Sequence, residues 1–306
     1  MKERLMDIVD AISVSGREKE LLSLIEKKVT PSAKISYDVM GNLYIKKDGD
    51  GCKSILLAVS IDSEGFFVNY SFPEEKIRIA PTFSVTDYST IVGSKLKGCG
   101  ITGTVCSEKE KDITLSDIYF EPDEDQAAPN IGDHLSFVSS VNEEEGYLLG
   151  RRVGIACIIS ALIDCINNYD VHNTVTVVFA VCGIPGGRGL KTVWNTASPD
   201  KAIVLRTLES TKELPILLAK DGITLSDTEM FRKAADMLSS EMIDHTLGAV
   251  TDTKRDAMSV NLSDIGIPTL SLALPTQNIG KDSEKVYSPA AEAISDTIKA
   301  LIKINY

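Results

Sequence analysis

Histidine is scarce in this chain of 306 residues. Only His134, His172 and His245 occur, and none of them belongs to an H-E-x-x-H pattern. The six cysteines are scattered without a C-x-x-C pair, which in a reducing compartment indicates free thiols. The familiar local signatures of a zinc site are therefore missing, and any mechanism that needs histidine has few candidates.

The chain also lacks an excess of basic residues and a long apolar segment. Its formal net charge is -12, which argues against nucleic acid or an anionic membrane as a partner because both attract a basic surface. No apolar run approaches the roughly 18–20 residues that span a bilayer. The first residues alternate charged and apolar side chains, unlike the apolar core of a signal peptide, so we expect a cytoplasmic protein.

The order of the predicted elements favours an α/β fold. Ser54–Asp62 and Thr174–Val181 are short, continuous apolar runs of the kind found in buried parallel strands. An amphipathic helix is predicted over Val153–Cys165, and another closes the chain at about 288–304. This alternation of strands and helices predicts a mostly parallel mixed sheet flanked by helices.

Between about Gly65 and Asn142 the pattern changes. Short alternating runs are separated by turn residues, which is typical of a small all-β unit. We therefore predict one α/β domain, residues 1–66 and 147–306, interrupted by a β-barrel-like insertion at residues 67–146.

A glycine-rich turn follows the second buried run, in the segment VVFAVCGIPGGRGL (Val177–Leu190). Open α/β sheets usually place their chemistry at such a turn, but this one offers no acid, base or hard metal ligand. A phosphate loop would need Lys and then Ser or Thr after its last glycine, where Leu190 and Lys191 stand instead. Ser60 or Cys182 could be a nucleophile, although neither has a nearby base in sequence.

Several motifs, taken in chain order, resemble those of the glutamyl and tetrahedral aminopeptidases, a family of dinuclear zinc peptidases. The segment SGREKELL (15–22) resembles the family's S-G-x-E opening, and YDVMGNLYI (37–45) is similar to D-x-x-G-N-L. Further similar segments are LSDIYFEPDEDQAAPNIGD (115–133), GRRVGIACIISALI (150–163), VVFAVCGIPGGRG (177–189) and RDAMSVNLSDIGIPTLSLALPT (255–276). No single motif is intact, so the resemblance depends on their order and spacing.

The resemblance implies a site in which two zinc ions, held by two histidines and several carboxylates, activate a water molecule while a free glutamate moves the proton. Most of the corresponding positions carry other residue types: Ser60 and Gly280 for the histidines, and Gly150, Gly183, Ile184 and Arg206 for carboxylates. Only Asp62 keeps the family's residue type. The resemblance therefore implies an aminopeptidase homologue that has lost its metal ligands and catalytic residues and needs no cofactor.

The same positions suggest what the pocket does instead. We expect Arg206 to enter the vacated metal space and to pair with Asp62, because carboxylates that lose a metal need another counter-ion. Asp62, Arg152 and Arg206 would then bind a peptide or a small anion, since guanidinium groups favour carboxylates and phosphates.

Other functions stay open. The resemblance implies homo-oligomers assembled through the β insertion, so the chain could be a scaffold or could co-assemble with an active paralogue. It could also be an active aminopeptidase that uses zinc or cobalt to release N-terminal residues, or a hydrolase that reuses Ser60, Cys182 or His245. A cavity filled around Ile184 would favour the scaffold, and an open one would favour ligand binding.

Overall fold

The structure is a computed structural model that describes residues 2–11, 13–70, 76–252, 256–263 and 266–304. Its helices are α1 (Lys2–Asp10), α2 (Lys19–Lys28), α3 (Val153–Asn168), α4 (Val193–Ala197), α5 (Thr228–Ser240), α6 (Asp256–Asn261) and α7 (Ser288–Lys303). The strands before α3 are β1 (Lys34–Tyr37), β2 (Leu43–Lys47), β3 (Ser54–Ser60), β4 (Gly65–Tyr70), β5 (Arg78–Pro81), β6 (Lys95–Gly98), β7 (Ile101–Ser107), β8 (Ile118–Pro122), β9 (His134–Phe137), β10 (Asn142–Glu144) and β11 (Tyr147–Leu149). The strands after α3 are β12 (Thr174–Ala180), β13 (Lys201–Glu209), β14 (Ile216–Asp221), β15 (Thr224–Leu225), β16 (Thr246–Ala249), β17 (Thr269–Thr276) and β18 (Lys285–Tyr287).

The main sheet has nine strands in the order β1-β2-β12-β3-β13-β17-β14-β15, with β16 beside β14. Its four central strands, β12, β3, β13 and β17, are parallel to one another. The hairpins β1–β2 and β14–β15 add antiparallel strands on either side. The predicted mixed α/β sheet is confirmed, and its parallel part lies mainly in the centre.

Helices cover both faces of this sheet, which explains the continuous apolar runs. In β3, Leu57 and Val59 point into a large core shared with α1, α2, α3, α5 and α7. Their neighbours Leu56 and Ala58 point the opposite way, into a smaller core with α4 and α6. Each residue of such a strand is therefore buried, whichever face it occupies.

The insertion forms a separate antiparallel sheet of six strands in the order β5-β4-β9-β6-β7-β8. It has its own core, in which Phe66, Phe120 and Phe137 are among the buried side chains. A β-bridge between Ile77 and Phe120 joins the two ends of this sheet, as closure into a barrel requires. The predicted all-β unit is therefore present, while the boundaries 67 and 146 stay predictions.

A short sheet, β10-β11-β18, connects the segment that leaves the insertion to the residues just before α7. None of the helices in the described part of the chain has the length and apolar character needed to cross a membrane.

Candidate functional site

A cavity of about 560 Å³ opens at the carboxyl ends of the parallel strands. Open α/β sheets usually bind their ligands at this edge, because the loops that follow the parallel strands meet there. Six of the seven positions singled out in the sequence line the cavity: Ser60, Asp62, Gly183, Ile184, Arg206 and Gly280. The structure therefore brings together residues that lie up to 220 positions apart, as the resemblance implies.

The seventh position, Gly150, lies next to Arg151 and Arg152, which do line the cavity. Its φ of +145° is in the region that favours glycine. A Cβ atom added there would lie 1.7 Å from the carbonyl oxygen of Ser140. With this backbone, position 150 leaves no room for any side chain.

Asp62 is held by the glycine-rich turn. Its carboxylate accepts hydrogen bonds from the backbone N–H groups of Gly183 and Ile184, at 2.7 and 2.9 Å. The Ser15 hydroxyl donates a third, at 2.5 Å. Burial raises the pKa of Asp62, while these hydrogen bonds act in the opposite direction because they stabilise the charged form.

The remaining amides of this turn are also used. The N–H of Gly187 donates to Gly183 and that of Gly189 to Val181, at 2.6 and 3.2 Å. The turn therefore binds an anion as glycine-rich turns do, but the anion is the chain's own Asp62. This arrangement speaks against a phosphate loop.

Arg206 does not pair with Asp62, and the structure corrects this expectation. Its guanidinium group binds the buried Asp221 of β14 and Asp252, the latter through a further contact of 3.1 Å, and its Nε donates to the carbonyl of Thr207. The side chain is only 2% exposed, so these partners occupy it fully. Asp62 already has three donors, whereas Asp221 is a buried carboxylate that needs a cation.

Arg152 has mainly a structural role. It begins α3 in the left-handed conformation, and its Nη1 donates to the carbonyl of Ala11 at 3.0 Å, which ties α3 to the end of α1. Its Nε and Nη2 have no hydrogen-bond partner among the described residues and no contact with solvent. Burial lowers the pKa of Arg152 to about 10, against the opposing effect of the Glu284 and Asp62 charges. The expected ligand contact through Arg152 therefore has no accessible donor on these two atoms.

Two lining residues escaped the sequence analysis. The guanidinium group of Arg151 lies 3.4 Å from the ring centre of Phe137 and 3.2 Å from Glu64, so it connects the insertion to the cavity. Glu284 is 3% exposed and accepts from the N–H groups of Gly154 and Gly280, at 2.9 and 3.0 Å. Burial raises the pKa of Glu284. Neither residue belongs to a recognisable motif, and only the fold brings their partners close.

The family model for M42 glutamyl aminopeptidase matches residues 41–296, well over half of the chain. The chain belongs to this family. No curated protein matches the sequence.

Solved structures of aminopeptidases are similar over nearly the whole length. An aminopeptidase from the archaeon Desulfurococcus kamchatkensis is 17% identical with a TM-score of 0.90, covering 99% of this chain and 94% of its own. A TET aminopeptidase from Thaumarchaeota archaeon SCGC AB-539-E09 is 19% identical with a TM-score of 0.88, covering 99% and 96%. The TET1 peptidase of Pyrococcus horikoshii is 19% identical with a TM-score of 0.84, covering 99% of both chains. At this level of identity the similarity establishes the fold, not the activity.

Within the M42 fold, this cavity is rich in acidic groups. Three arginines line it, and Arg151 and Arg206 each contact two carboxylates. The seven carboxyl groups that line the cavity or pair with these arginines are Asp62, Glu64, Asp221, Asp252, Asp256, Asp282 and Glu284. The surplus of negative charge favours a cationic ligand over an anionic one.

The other candidate groups are poorly placed for chemistry. Burial raises the pKa of Cys182 to about 11, so its thiol is protonated at neutral pH and is not activated as a nucleophile. The Ser60 hydroxyl has no hydrogen-bond partner among the described residues, and hence no base. His245 is bonded through Nδ1 to the carbonyl of Ile243, at 2.8 Å. Among the described residues, no group of three or more His, Cys, Asp and Glu side chains is placed to hold a metal ion.

Proposed function

We propose that this M42 family member binds the amino-terminal end of a peptide in its cavity without hydrolysing it. The observation that carries the proposal is the state of Asp62. Its carboxylate is bound by the amides of Gly183 and Ile184, the two residues that stand where the resemblance puts the family's glutamates. Backbone N–H groups here compensate the charge that metal ions compensate in a dizinc site.

The chemistry of the other lining residues supports the loss of hydrolysis. Zinc takes imidazole, thiolate and carboxylate ligands, and the residues at the family's ligand positions do not fit two such ions. Ile184 offers no donor, and the two glycines leave no room for one. A Cβ atom at Gly183 would lie 2.4 Å from that of Ser60, and one at Gly280 would lie 2.5 Å from a Glu64 oxygen.

The shape and charge of the cavity support ligand binding. Its volume of about 560 Å³ falls within the roughly 300–1,000 Å³ of small-ligand pockets. Ile184 is 38% exposed, so the cavity is not filled around it. Apolar walls are formed by Ile155, Leu205 and Ile279, and the carboxylates of Glu64 and Asp256 lie among them. An ammonium group attached to an apolar side chain fits this combination.

A combined metal and binding measurement tests the proposal. The protein is incubated with zinc or cobalt, freed of excess ions, and measured for bound metal and for release of leucine from a chromogenic leucyl amide. We expect no turnover and less than one metal per chain. Calorimetry with Leu-Gly-Gly and its N-acetyl form should show at least tenfold tighter binding of the free amine.

The opposite results identify the alternatives. About two metals per chain, with turnover, would mean that the chain is an active aminopeptidase. No turnover and no binding of either peptide would exclude the ligand-binding role and favour a scaffold. The expected location in the cytoplasm stays a prediction.

We further propose that the chain forms a homo-oligomer, as the resemblance implies. Support comes from relatives: the TET1 peptidase of Pyrococcus horikoshii assembles into a tetrahedron or a large octahedral shell. Light scattering that gives a mass well above 33.2 kDa would support this proposal, and a strict monomer would contradict it. Co-assembly with an active paralogue is testable in the same way by mixing the two chains.

A further inference from the structure

The strand β1 (Lys34–Tyr37) forms one outer edge of the main sheet. All four of its residues are exposed, on both faces of the strand. Ile35 and Tyr37, which are 37% and 48% exposed, share one face because alternate residues of a strand point the same way. The strand therefore extends beyond the helices that cover the rest of the sheet.

The outer edge of β1 carries unused backbone groups. Asp38 donates its N–H to the carbonyl of Asn42 at 3.2 Å, so the alternation of an antiparallel ladder makes Ser36 and Lys34 the next residues bonded to β2. The N–H and C=O groups of Ile35 and Tyr37 then point away from β2. No hydrogen bond found among the described residues uses these four groups.

The opposite edge of the same sheet is protected. The pairing of β16 with β14 is interrupted by a register shift between Leu218 and Lys220. Lys212 directs its ammonium group to the carbonyl of Leu247 in β16, at 3.4 Å. Bulges and edge lysines are the devices by which proteins prevent pairing of exposed strands. The β1–β2 ladder has no register shift and β1 contains no proline, so β1 lacks these devices.

We propose that two copies of this chain pair through β1, antiparallel, about a two-fold axis at Ser36. In this register Ile35 of each copy faces Tyr37 of the other, and all four outward backbone groups of each copy find a partner. A β-branched residue opposite an aromatic one is a favourable cross-strand pair. An interface of this kind uses the same surface on both copies, as two-fold symmetry requires.

The neighbouring two-fold registers satisfy fewer groups. A shift toward the start of β1 would place Tyr37 opposite Ala33, whose N–H already donates to the carbonyl of Thr30 at 3.2 Å. A shift the other way would place Ile35 opposite Val39, in the turn that follows the strand. The register at Ser36 also puts Lys34 opposite Asp38 at both ends, so opposite charges meet. This self-complementarity is the reason to assign the edge to a second copy instead of an unrelated peptide strand.

Disulfide trapping tests the register directly. Ser36 of the two copies would form a pair without mutual hydrogen bonds, with Cα atoms about 4.5 Å apart, which suits a disulfide. In a background with the exposed Cys52 and Cys99 changed to serine, Ser36→Cys should give a cross-linked dimer on a non-reducing gel. Lys34→Cys is the matched control, because its two copies would lie about 13 Å apart. Equal cross-linking of both variants, or none with Ser36→Cys, would overturn the proposal.

A proline provides an independent measurement. Tyr37→Pro removes an N–H group that points away from β2, so it blocks pairing between copies and leaves the β1–β2 ladder intact. We expect the mass from light scattering to fall by a factor of two relative to Ser36→Thr. Circular dichroism checks that the variant is folded, and the trapping experiment stands without it. A folded proline variant of unchanged mass would contradict pairing through β1.

Discussion

The carboxylate of Asp62 accepts a hydrogen bond from the backbone N–H of Ile184, at 2.9 Å. One of these residues keeps the type found at a metal-ligand position of the family, and the other has replaced a ligand. The replacement is therefore more than the loss of a side chain, because the backbone at position 184 compensates the charge that remains. A retained acidic residue in such a cavity is not by itself a sign of a retained metal site.

This network predicts that Asp62 contributes to stability. Asp62→Ala leaves the N–H groups of Gly183 and Ile184 and the Ser15 hydroxyl without their acceptor. An unsatisfied buried donor costs about 1–3 kcal/mol, so we expect a loss of at least that size in the free energy of unfolding, measured with urea. Asp282→Ala is the control, because the Asp282 side chain is 75% exposed. Equal stability of the two variants would show that the Asp62 network is not stabilising.

The raised pKa of Asp62 predicts a pH dependence with a definite sign. The native state binds this proton at pH values where the unfolded chain has already released it, since the ordinary value is 3.8. Stability should therefore fall as the pH rises from about 4 through the raised pKa. Asp62→Asn removes the titrating group, so its urea midpoint should change less over the same window. A steeper change in the variant would mean that the pKa of Asp62 is lowered instead.

Much of this site could be anticipated from sequence, for a physical reason. Ser60 ends a buried apolar strand and Gly183 follows another, and parallel strands bring their carboxyl ends to one edge. The partners of Arg206 could not be anticipated in this way. Asp221 and Asp252 lie in β14 and after β16, two short strands for which the sequence gives no clear periodicity. Pairing of charges depends on which acid is buried nearby, and that is a property of the folded chain.

The backbone at Gly183 predicts that even a small side chain is harmful there. Gly183→Ala would place its Cβ atom 2.4 Å from that of Ser60, and overpacking of this kind costs about 1–3 kcal/mol. Gly186→Ala is the matched control in the same turn, because its Cβ atom meets nothing within 4 Å and only the positive φ is unfavourable. We expect the larger fall in melting temperature for Gly183→Ala. The reverse order would show that the backbone at position 183 adapts readily, and would weaken the case against a metal-ligand side chain there.

The buried ion pair of Arg206 predicts a larger effect. Arg206→Met leaves Asp221 buried without its cation, and breaking a buried pair in this way costs about 3–5 kcal/mol. Arg151→Met should cost less, because its partner Asp282 is largely exposed and can be solvated. Urea unfolding of both variants measures the difference. Similar losses would mean that Asp221 is rehydrated when Arg206 is removed.

The surplus of carboxylates in the cavity predicts how binding depends on charge and salt. Glu64→Gln removes one negative charge from the cavity wall, so an amine such as Leu-Gly-Gly should bind about three- to tenfold more weakly in calorimetry at low ionic strength. At about 0.5 M salt the difference should shrink, because screening shortens the range of the interaction. Glu213→Gln changes the net charge of the chain by the same amount at an exposed residue bonded to Tyr147. If the two variants bind the amine equally well, the cavity does not select its ligand by charge.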